Sequence, residues 1–145
     1  MYGHSPTDDE AIDKRKVQTI RHERTAGDLA CGATPNCVSS EANELRQSIL
    51  PFELVSGRDI AWAALRDQVA MLPGATVVAY SFEYIHVECR SRFFRFVDDL
   101  ELSRNSGLNR ISVRSASRVG YFDFGANRRR IERLRCQLRK HGLIH

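Results

Sequence analysis

A run of four strand-like segments between two helix-like segments most constrains the fold. Between residues 76 and 118, apolar and polar residues alternate with the period of two that is typical of half-buried strands. The predicted strands are residues 76–81, 84–90, 93–102 and 110–118. Turn-forming residues at 105–107 separate the last two strands. The sequence therefore predicts a meandering antiparallel sheet of four strands.

One predicted helix precedes this stretch and another follows it. The first begins near Ser56, a candidate N-cap, and ends at Pro73 and Gly74. Its apolar residues recur at helical spacing, so one face is apolar and Trp62 is a predicted core anchor. The second spans residues 126–140, and its inward face holds Asn127, Ile131, Leu134 and Leu138. We expect an α+β fold, a two-layer sandwich in which both helices cover one face of the four-stranded antiparallel sheet.

The chain of 145 residues has room for one domain. Residues 1–28 are polar and poor in aromatic residues, so we predict a mobile N-terminal arm whose strongest helical pattern lies at residues 13–20. Residues 29–145 form the predicted α+β domain. Its first part, up to residue 55, has the composition of a loop, with a short predicted helix at residues 41–48.

The sequence contains no predicted membrane-spanning or secretory segment. No apolar run approaches the roughly 20 residues that a transmembrane helix needs, and residues 1–10 lack the apolar part of a signal peptide. We therefore expect a cytoplasmic protein. In a reducing compartment free thiols are expected, although the spacing of Cys31 and Cys37 could close a disulfide, and Cys89 and Cys136 are predicted core or boundary residues. No cysteine or histidine pair has metal-ligand spacing, so no metal or other cofactor is expected.

Charge is distributed unevenly along the chain. The whole chain has 22 Lys and Arg against 18 Asp and Glu, a net charge of +4. Residues 104–145 alone hold 11 basic residues against two acidic ones, a net charge of +9, and ten of the basic residues are arginines. The planar guanidinium of arginine suits carboxylate and phosphate. The C-terminal third is therefore a candidate surface for an anion, or alternatively a solvated helix face.

A polar network is predicted around Asp98, which lies on the same strand face as Leu100 and Leu102. A carboxylate on an apolar face is costly unless it is paired, so we expect an arginine of the fourth strand or the last helix as its partner. Ser115 and Ser117 point to the same side of the sheet. The predicted supporting network consists of Asp98, Ser115, Ser117 and Asp123.

The predicted ligand-binding residues lie beside this network. They are Arg114, Arg118, Asn127 and Arg128. Free N–H groups at the start of the last helix favour phosphate or carboxylate, which the arginines would also bind. The alternative is that the same residues only fasten the last helix to the sheet.

Three segments of the chain resemble one protein family. Residues 114–131 carry Arg-Ser-Ala-Ser-Arg-x-Gly followed by Asp-x-Gly-x-Asn-Arg-x-Arg-Ile. Residues 35–40 read Pro-Asn-Cys-Val-Ser-Ser, and residues 84–88 and 96–99 read Tyr-Ile-His-Val-Glu and Phe-Val-Asp-Asp. In this order the chain resembles the domain-of-unknown-function family 1499 over residues 29 to about 140. The resemblance implies no established activity. Many members follow an export or membrane segment, which residues 1–28 do not show.

Three classes of function follow from these features. The first, which we favour, is non-enzymatic binding of a small anionic ligand or an acidic protein surface. The second is nucleic-acid binding through the arginine-rich last helix, although no helix-turn-helix or zinc finger is visible and Tyr84, Arg95 and Arg114 are a poor stacking platform. The third is an enzyme in which His86 transfers a proton with Asp99 or Glu88. Asp98 and Asp99 are adjacent and face opposite sides of a strand, so they make a poor acid–base pair.

Overall fold

The structure is a computed structural model that describes residues 28–55, 58–94, 96–105, 107 and 109–145. The predicted N-terminal arm before residue 28, the predicted N-cap Ser56 and Arg95 of the predicted stacking platform lie outside the described residues. The side chains of residues 58–60 are likewise not described.

The described chain forms an α+β fold with an antiparallel sheet and two α-helices, as the sequence predicts. The helices are α1 (Arg58–Ala70) and α2 (Ala126–Lys140), and a short 3-10 helix spans Leu45–Gln47. The strands are β1 (Cys37–Ser39), β2 (Phe52–Glu53), β3 (Ala75–Tyr80), β4 (Tyr84–Arg90), β5 (Val97–Asn105) and β6 (Arg110–Ser117). The strand order is β1-β6-β5-β4-β3, and β2 also pairs with β6. Every strand pair is antiparallel.

The sheet has six strands, so the prediction of four strands is wrong. The two additional strands, β1 and β2, lie in the stretch that the sequence predicts as loop. They are only three and two residues long, so neither is long enough to show a period-two pattern. Both pair with the same side of β6, where Cys37 lies opposite Ala116 and Phe52 lies opposite Ile111.

The third predicted strand begins later than its aromatic residues suggest. Strand β5 starts at Val97, and residues 91–96 connect it to β4. The N–H of Ser91 donates to the carbonyl of Phe96, and the Ser91 hydroxyl accepts from the N–H of Phe96 at 2.9 Å. These bonds close a turn before the strand. Phe94 and Phe96 are therefore exposed instead of lying on the core face with Leu100.

Both helices contribute to one core with the same face of the sheet, which we call the inner face. Helix α1 supplies Trp62, Leu65 and Val69, and the indole N–H of Trp62 donates to the Ser81 carbonyl at 3.0 Å. The other core residues come from α2 and from alternate positions of the strands: Ile131, Leu134, Leu138, Ile85, Val87, Leu100, Leu102, Ile111 and Val113. We call the opposite side of the sheet the outer face. Within the described part of the chain, no helix is long and apolar enough to cross a membrane.

Two of the four cysteines are paired. Cys31 and Cys37 form a disulfide, so the expectation of free thiols is wrong for these two. Strand β1 holds Cys37 beside β6, and the preceding loop returns to bring the two Cα atoms within 5.7 Å, a distance that a disulfide can span. Cys89 is buried as predicted, whereas Cys136 is exposed on α2 and is neither a core nor a boundary residue.

Candidate functional site

A buried amide forms the centre of a polar network between α2 and the inner face. Asn127 is fully buried. Its Oδ1 accepts from the Ser115 hydroxyl at 2.8 Å and from Nη1 of Arg130 at 2.7 Å. Its Nδ2 donates to the Ser117 hydroxyl at 2.9 Å and to the Asn36 carbonyl at 3.1 Å. One side chain thus joins the last helix, strand β6 and the segment before β1.

The Asp98 carboxylate completes this network. Nη2 of Arg130 donates to Oδ2 of Asp98 at 2.7 Å, and Nη1 also reaches the Ser115 hydroxyl at 2.9 Å. Arg130 is absent from the set of site residues that the sequence predicts. Its spacing from Asn127 could have predicted it, because a residue three positions after Asn127 lies on the same side of the helix.

Asp123 occupies the N-terminus of α2. Its carboxylate accepts from the backbone N–H of Gly125 at 2.8 Å and of Asn127 at 3.2 Å, and also from Nδ2 of Asn127 at 2.8 Å. Burial acts to raise the pKa of Asp123, but these hydrogen bonds outweigh it and hold the pKa below its usual range. The protein's own carboxylate therefore takes the place at the helix N-terminus that an external anion would need.

The four predicted ligand-binding residues do not form one site. Arg114 and Arg118 extend from the outer face, whereas Asn127 and Arg128 belong to α2 on the inner side. Nη2 of Arg128 donates to the carbonyls of Arg46 at 3.0 Å and Ser48 at 2.9 Å. The predicted supporting residues Asp98, Ser115, Ser117 and Asp123, by contrast, all lie around Asn127 and its partner Arg130.

An open pocket of about 490 Å³ lies on the outer face. Its lining residues are His86, Asp99, Glu101, Arg114, Ala116, Ser117 and Arg118. They come from the middle and one end of β4, β5 and β6, where register brings Glu88 opposite Asp99 and Glu101 opposite Arg114. Register thus places two like charges, Glu88 and Asp99, beside each other, and two opposite charges, Glu101 and Arg114, beside each other.

Arg118 clamps two carboxylates at one side of this pocket. Its Nε and Nη2 each donate to Asp99 at 2.8 Å, and Nη2 also donates to Glu88 at 2.9 Å. Nε2 of His86 lies 2.7 Å from Oδ1 of Asp99. Burial acts to raise the pKa of Asp99, but the hydrogen bonds and charge of Arg118 and the contact with His86 outweigh it, so the pKa lies well below the usual range.

Arg114 and Glu101 form a second ion pair in the pocket. Nη1 of Arg114 donates to Oε2 of Glu101 at 2.6 Å, and the Tyr84 hydroxyl donates to Oε1 at 2.6 Å. The Nε of Arg114 is buried and has no hydrogen-bond partner. Both oxygens of Asp99 and both of Glu101 thus accept hydrogen bonds already, while the guanidinium of Arg114 keeps an unused donor.

The low pKa of Asp99 predicts stability that is sensitive to acid. An unfolded aspartate has a pKa of about 3.9, and the folded carboxyl has a lower one, so its stabilisation is present above about pH 4 and is lost as the pH falls through the folded pKa. We expect urea denaturation to give a free energy of unfolding that decreases below about pH 4. In the Asp99→Asn variant this decrease should be smaller. An unchanged dependence on pH would show that other carboxyl groups account for it.

Half of the six arginines of α2 are buried or half-buried and bonded within the fold. Arg135 donates to the carbonyls of Leu50 and Pro51, and its guanidinium lies 4.7 Å from the centre of the Phe52 ring. Arg128 and Arg130 are also bonded and half-buried, whereas Arg129, Arg133, Arg139 and Lys140 are exposed. The number of basic residues in the sequence thus overstates how many cationic side chains of α2 are exposed to a polyanion such as nucleic acid. No group of three or more His, Cys, Asp or Glu in the described part of the chain is arranged to hold a metal ion.

Comparison with known proteins gives one match. The sequence model of a family described as "Protein of unknown function (DUF1499)" matches residues 29–138. A search of curated proteins found no match, and a search of solved structures found none either.

Proposed function

The chain belongs to the DUF1499 family of proteins of unknown function, and from the geometry of its site we propose that it binds a small anionic ligand without catalysing a reaction. The ligand would carry a carboxylate or phosphate and occupy the outer-face pocket. Arg114 and Arg118 would be its charged contacts.

One observation carries this proposal: the Nε of Arg114 is a donor without a partner, whereas each oxygen of Asp99 and Glu101 already accepts a hydrogen bond. The oxygens of Asp99 and Glu101 accept from Arg118, His86, Arg114 and Tyr84. The buried Nε of Arg114 donates to nothing. A ligand that brings acceptors would use this donor if the Arg114 side chain shifts to expose it, and an anionic ligand would add charge-assisted bonds, which are the stronger kind.

The carboxylates support binding by holding the arginines in place. Asp99 and Glu88 fix the guanidinium of Arg118 from two strands, and Glu101 fixes that of Arg114. A guanidinium that is already ordered loses less conformational entropy when a ligand binds. The same carboxylates reduce the net positive charge of the pocket. They therefore favour a small anion with a fitting shape over a long polyanion.

Asn127 and Arg128 have a supporting part in this proposal. They lie on the other side of the sheet from the pocket, and both join α2 to segments that flank β6 or the 3-10 helix. With Asp98, Ser115, Ser117 and Asp123, they would hold strand β6, and through it Arg114 and Arg118, in a fixed position.

Calorimetric titration with citrate, succinate and inorganic phosphate tests the proposal, with succinamide as the uncharged counterpart of succinate. We expect at least one anion to bind and succinamide not to bind. The Arg118→Gln variant should weaken binding about tenfold or more, which corresponds to about 1.4 kcal/mol. Arg139→Gln, which removes an exposed arginine of α2, is the matched control and should bind as the parent does. Failure of all three anions at millimolar concentration, or equal affinity of both variants, would refute the site.

We also propose that the protein functions in an oxidising compartment, in place of the cytoplasm expected from its sequence. The Cys31–Cys37 disulfide is the reason, because cytosolic thiols keep most such pairs reduced. Protein isolated from its host and alkylated without reductant under denaturing conditions, which expose the buried Cys89, should be modified at Cys89 and Cys136 only. Modification of all four cysteines would contradict this compartment.

A further inference from the structure

Exposed aromatic side chains gather at one end of the sheet. The pairing of Arg90 with Val97 and of Asp98 with Ser117 brings the β4–β5 connection and the β6–α2 connection to the same end. We call this the aromatic end, defined by Phe93, Phe94, Phe96, Tyr121, Phe122 and Phe124. It holds five of the seven phenylalanines of the chain, and all six side chains are exposed.

Most of these rings project from loops, whereas Tyr121 and Phe122 also line an open pocket of about 480 Å³ beside Pro35 and Gln47. Phe93 and Phe94 are 83% and 76% exposed at the tip of the β4–β5 connection, and Phe124 is 89% exposed. Phe94 stacks on Phe96 with ring centres 5.8 Å apart, and Tyr121 meets Phe122 edge to face. A cluster of exposed aromatic residues is unusual on a soluble monomer and marks a binding surface.

The charge around the aromatic end is positive. The guanidinium of Arg92 lies 5.8 Å from the centre of the Phe93 ring, and Nη1 of Arg129 donates to the Phe124 carbonyl at 2.6 Å. Arg129, Arg130 and Arg133 line a small pocket of about 170 Å³ between the start of α2 and the turn before β3. The register of β3 with β4 brings that turn to the same end of the sheet. The carboxylate in these loops, Asp123, is bonded to the start of α2.

We infer that the aromatic end binds the surface of a lipid bilayer that contains anionic headgroups. Projecting phenylalanines fit the boundary between headgroups and acyl chains, where aromatic rings are favoured. The arginines beside them lie where the headgroup phosphates would be, so charge and apolar contacts act together. A protein partner would be expected to need a concave or flat surface, whereas Phe93, Phe94 and Phe124 project from loops. The aromatic end is separate from the outer-face pocket. Binding of a small anion in the outer-face pocket therefore does not depend on the aromatic end.

Flotation with lipid vesicles tests this inference. The full chain is mixed with vesicles of phosphatidylcholine alone or with phosphatidylglycerol added. We expect binding to the anionic vesicles, weaker binding to the neutral ones, and loss of binding at high salt. The Phe93→Ser/Phe94→Ser variant should bind the anionic vesicles at least about tenfold more weakly than the parent. Because both rings are exposed, the variant should fold, and fluorescence of the buried Trp62 verifies that it does.

Phe82→Ser is the matched control. Phe82 is also exposed, at 60%, but it lies in the β3–β4 turn at the opposite end of the sheet. We expect this variant to bind vesicles as the parent does. The inference fails if the parent does not bind anionic vesicles, or if the double variant binds as well as the parent. It also fails if the chain binds no vesicles but forms a dimer that the double variant abolishes, since the aromatic end would then bind a second copy.

Discussion

Asn127→Leu is expected to lower the free energy of unfolding by about 3 kcal/mol or more. Leucine has the same number of side-chain heavy atoms and the same branching as asparagine, so its shape is similar and the loss reports mainly on hydrogen bonds. The variant removes the acceptor of the buried Ser115 hydroxyl and one of the two donors to the Asn36 carbonyl, which keeps the N–H of Ser117. An unsatisfied buried polar group costs about 1–3 kcal/mol.

Urea denaturation monitored by Trp62 fluorescence measures this effect, because Trp62 is the single tryptophan and lies in the core. Ser115→Ala is the comparison variant. It removes one partner of Asn127, while Arg130 still donates to Oδ1, so we expect a loss of only about 1 kcal/mol. If Asn127→Leu costs no more than Ser115→Ala, the amide is not the centre of the network.

Asp98→Ala is the second substitution with a large expected effect, about 3 kcal/mol of lost stability. It leaves the guanidinium of Arg130 partly buried without its carboxylate, 2.7 Å away in the parent. Removing one partner of a buried pair is more costly than removing both, because the remaining charge stays desolvated. The Asp98→Leu/Arg130→Met variant should therefore regain most of the loss. If the double variant is as unstable as Asp98→Ala, the ion pair itself contributes the stability.

The double variant also tests whether the inner network affects anion binding on the outer face. Asp98 and Arg130 lie on the inner side, and the proposed ligand contacts Arg114 and Arg118 lie on the outer side. A folded double variant should bind citrate, succinate or phosphate with the affinity of the parent. A large loss of affinity would show that the sheet alone does not hold Arg114 and Arg118 in place and that the inner network is needed to position them.

Long periodic elements were predictable from the sequence. The bounds of α2, residues 126–140, agree with the structure, and β4 agrees at both ends. The inner face of β6 was also predictable, since alternation places Ser115 and Ser117 on the side of Ile111 and Val113. Each of these segments is long enough for its hydrophobic pattern to distinguish the helical period of 3.6 residues from the strand period of two.

Short elements and pairings through space were not predictable. Strands β1 and β2 exist because β6 offers an edge for pairing, and that edge is a property of the assembled sheet. The separation of Arg114 and Arg118 from Asn127 and Arg128 has the same origin. These residues are close in sequence, but the chain leaves the sheet at residue 118 and returns as a helix on the inner side. The partner of Asp98 could be predicted only as an arginine, and geometry was needed to identify Arg130.

The order of residues in β5 also protects the folding protein against mispairing. Asp98 faces Arg130 on the inner side and Asp99 faces Arg118 on the outer side, with the fully buried Leu100 next to them and Glu101 beyond. A slip of β5 by one residue in either direction would bring Asp99 or Glu101 to the place of Leu100 in the core. Either carboxylate would there be buried among apolar side chains. A misregistered sheet therefore cannot close its core, so the chain folds into a single strand alignment.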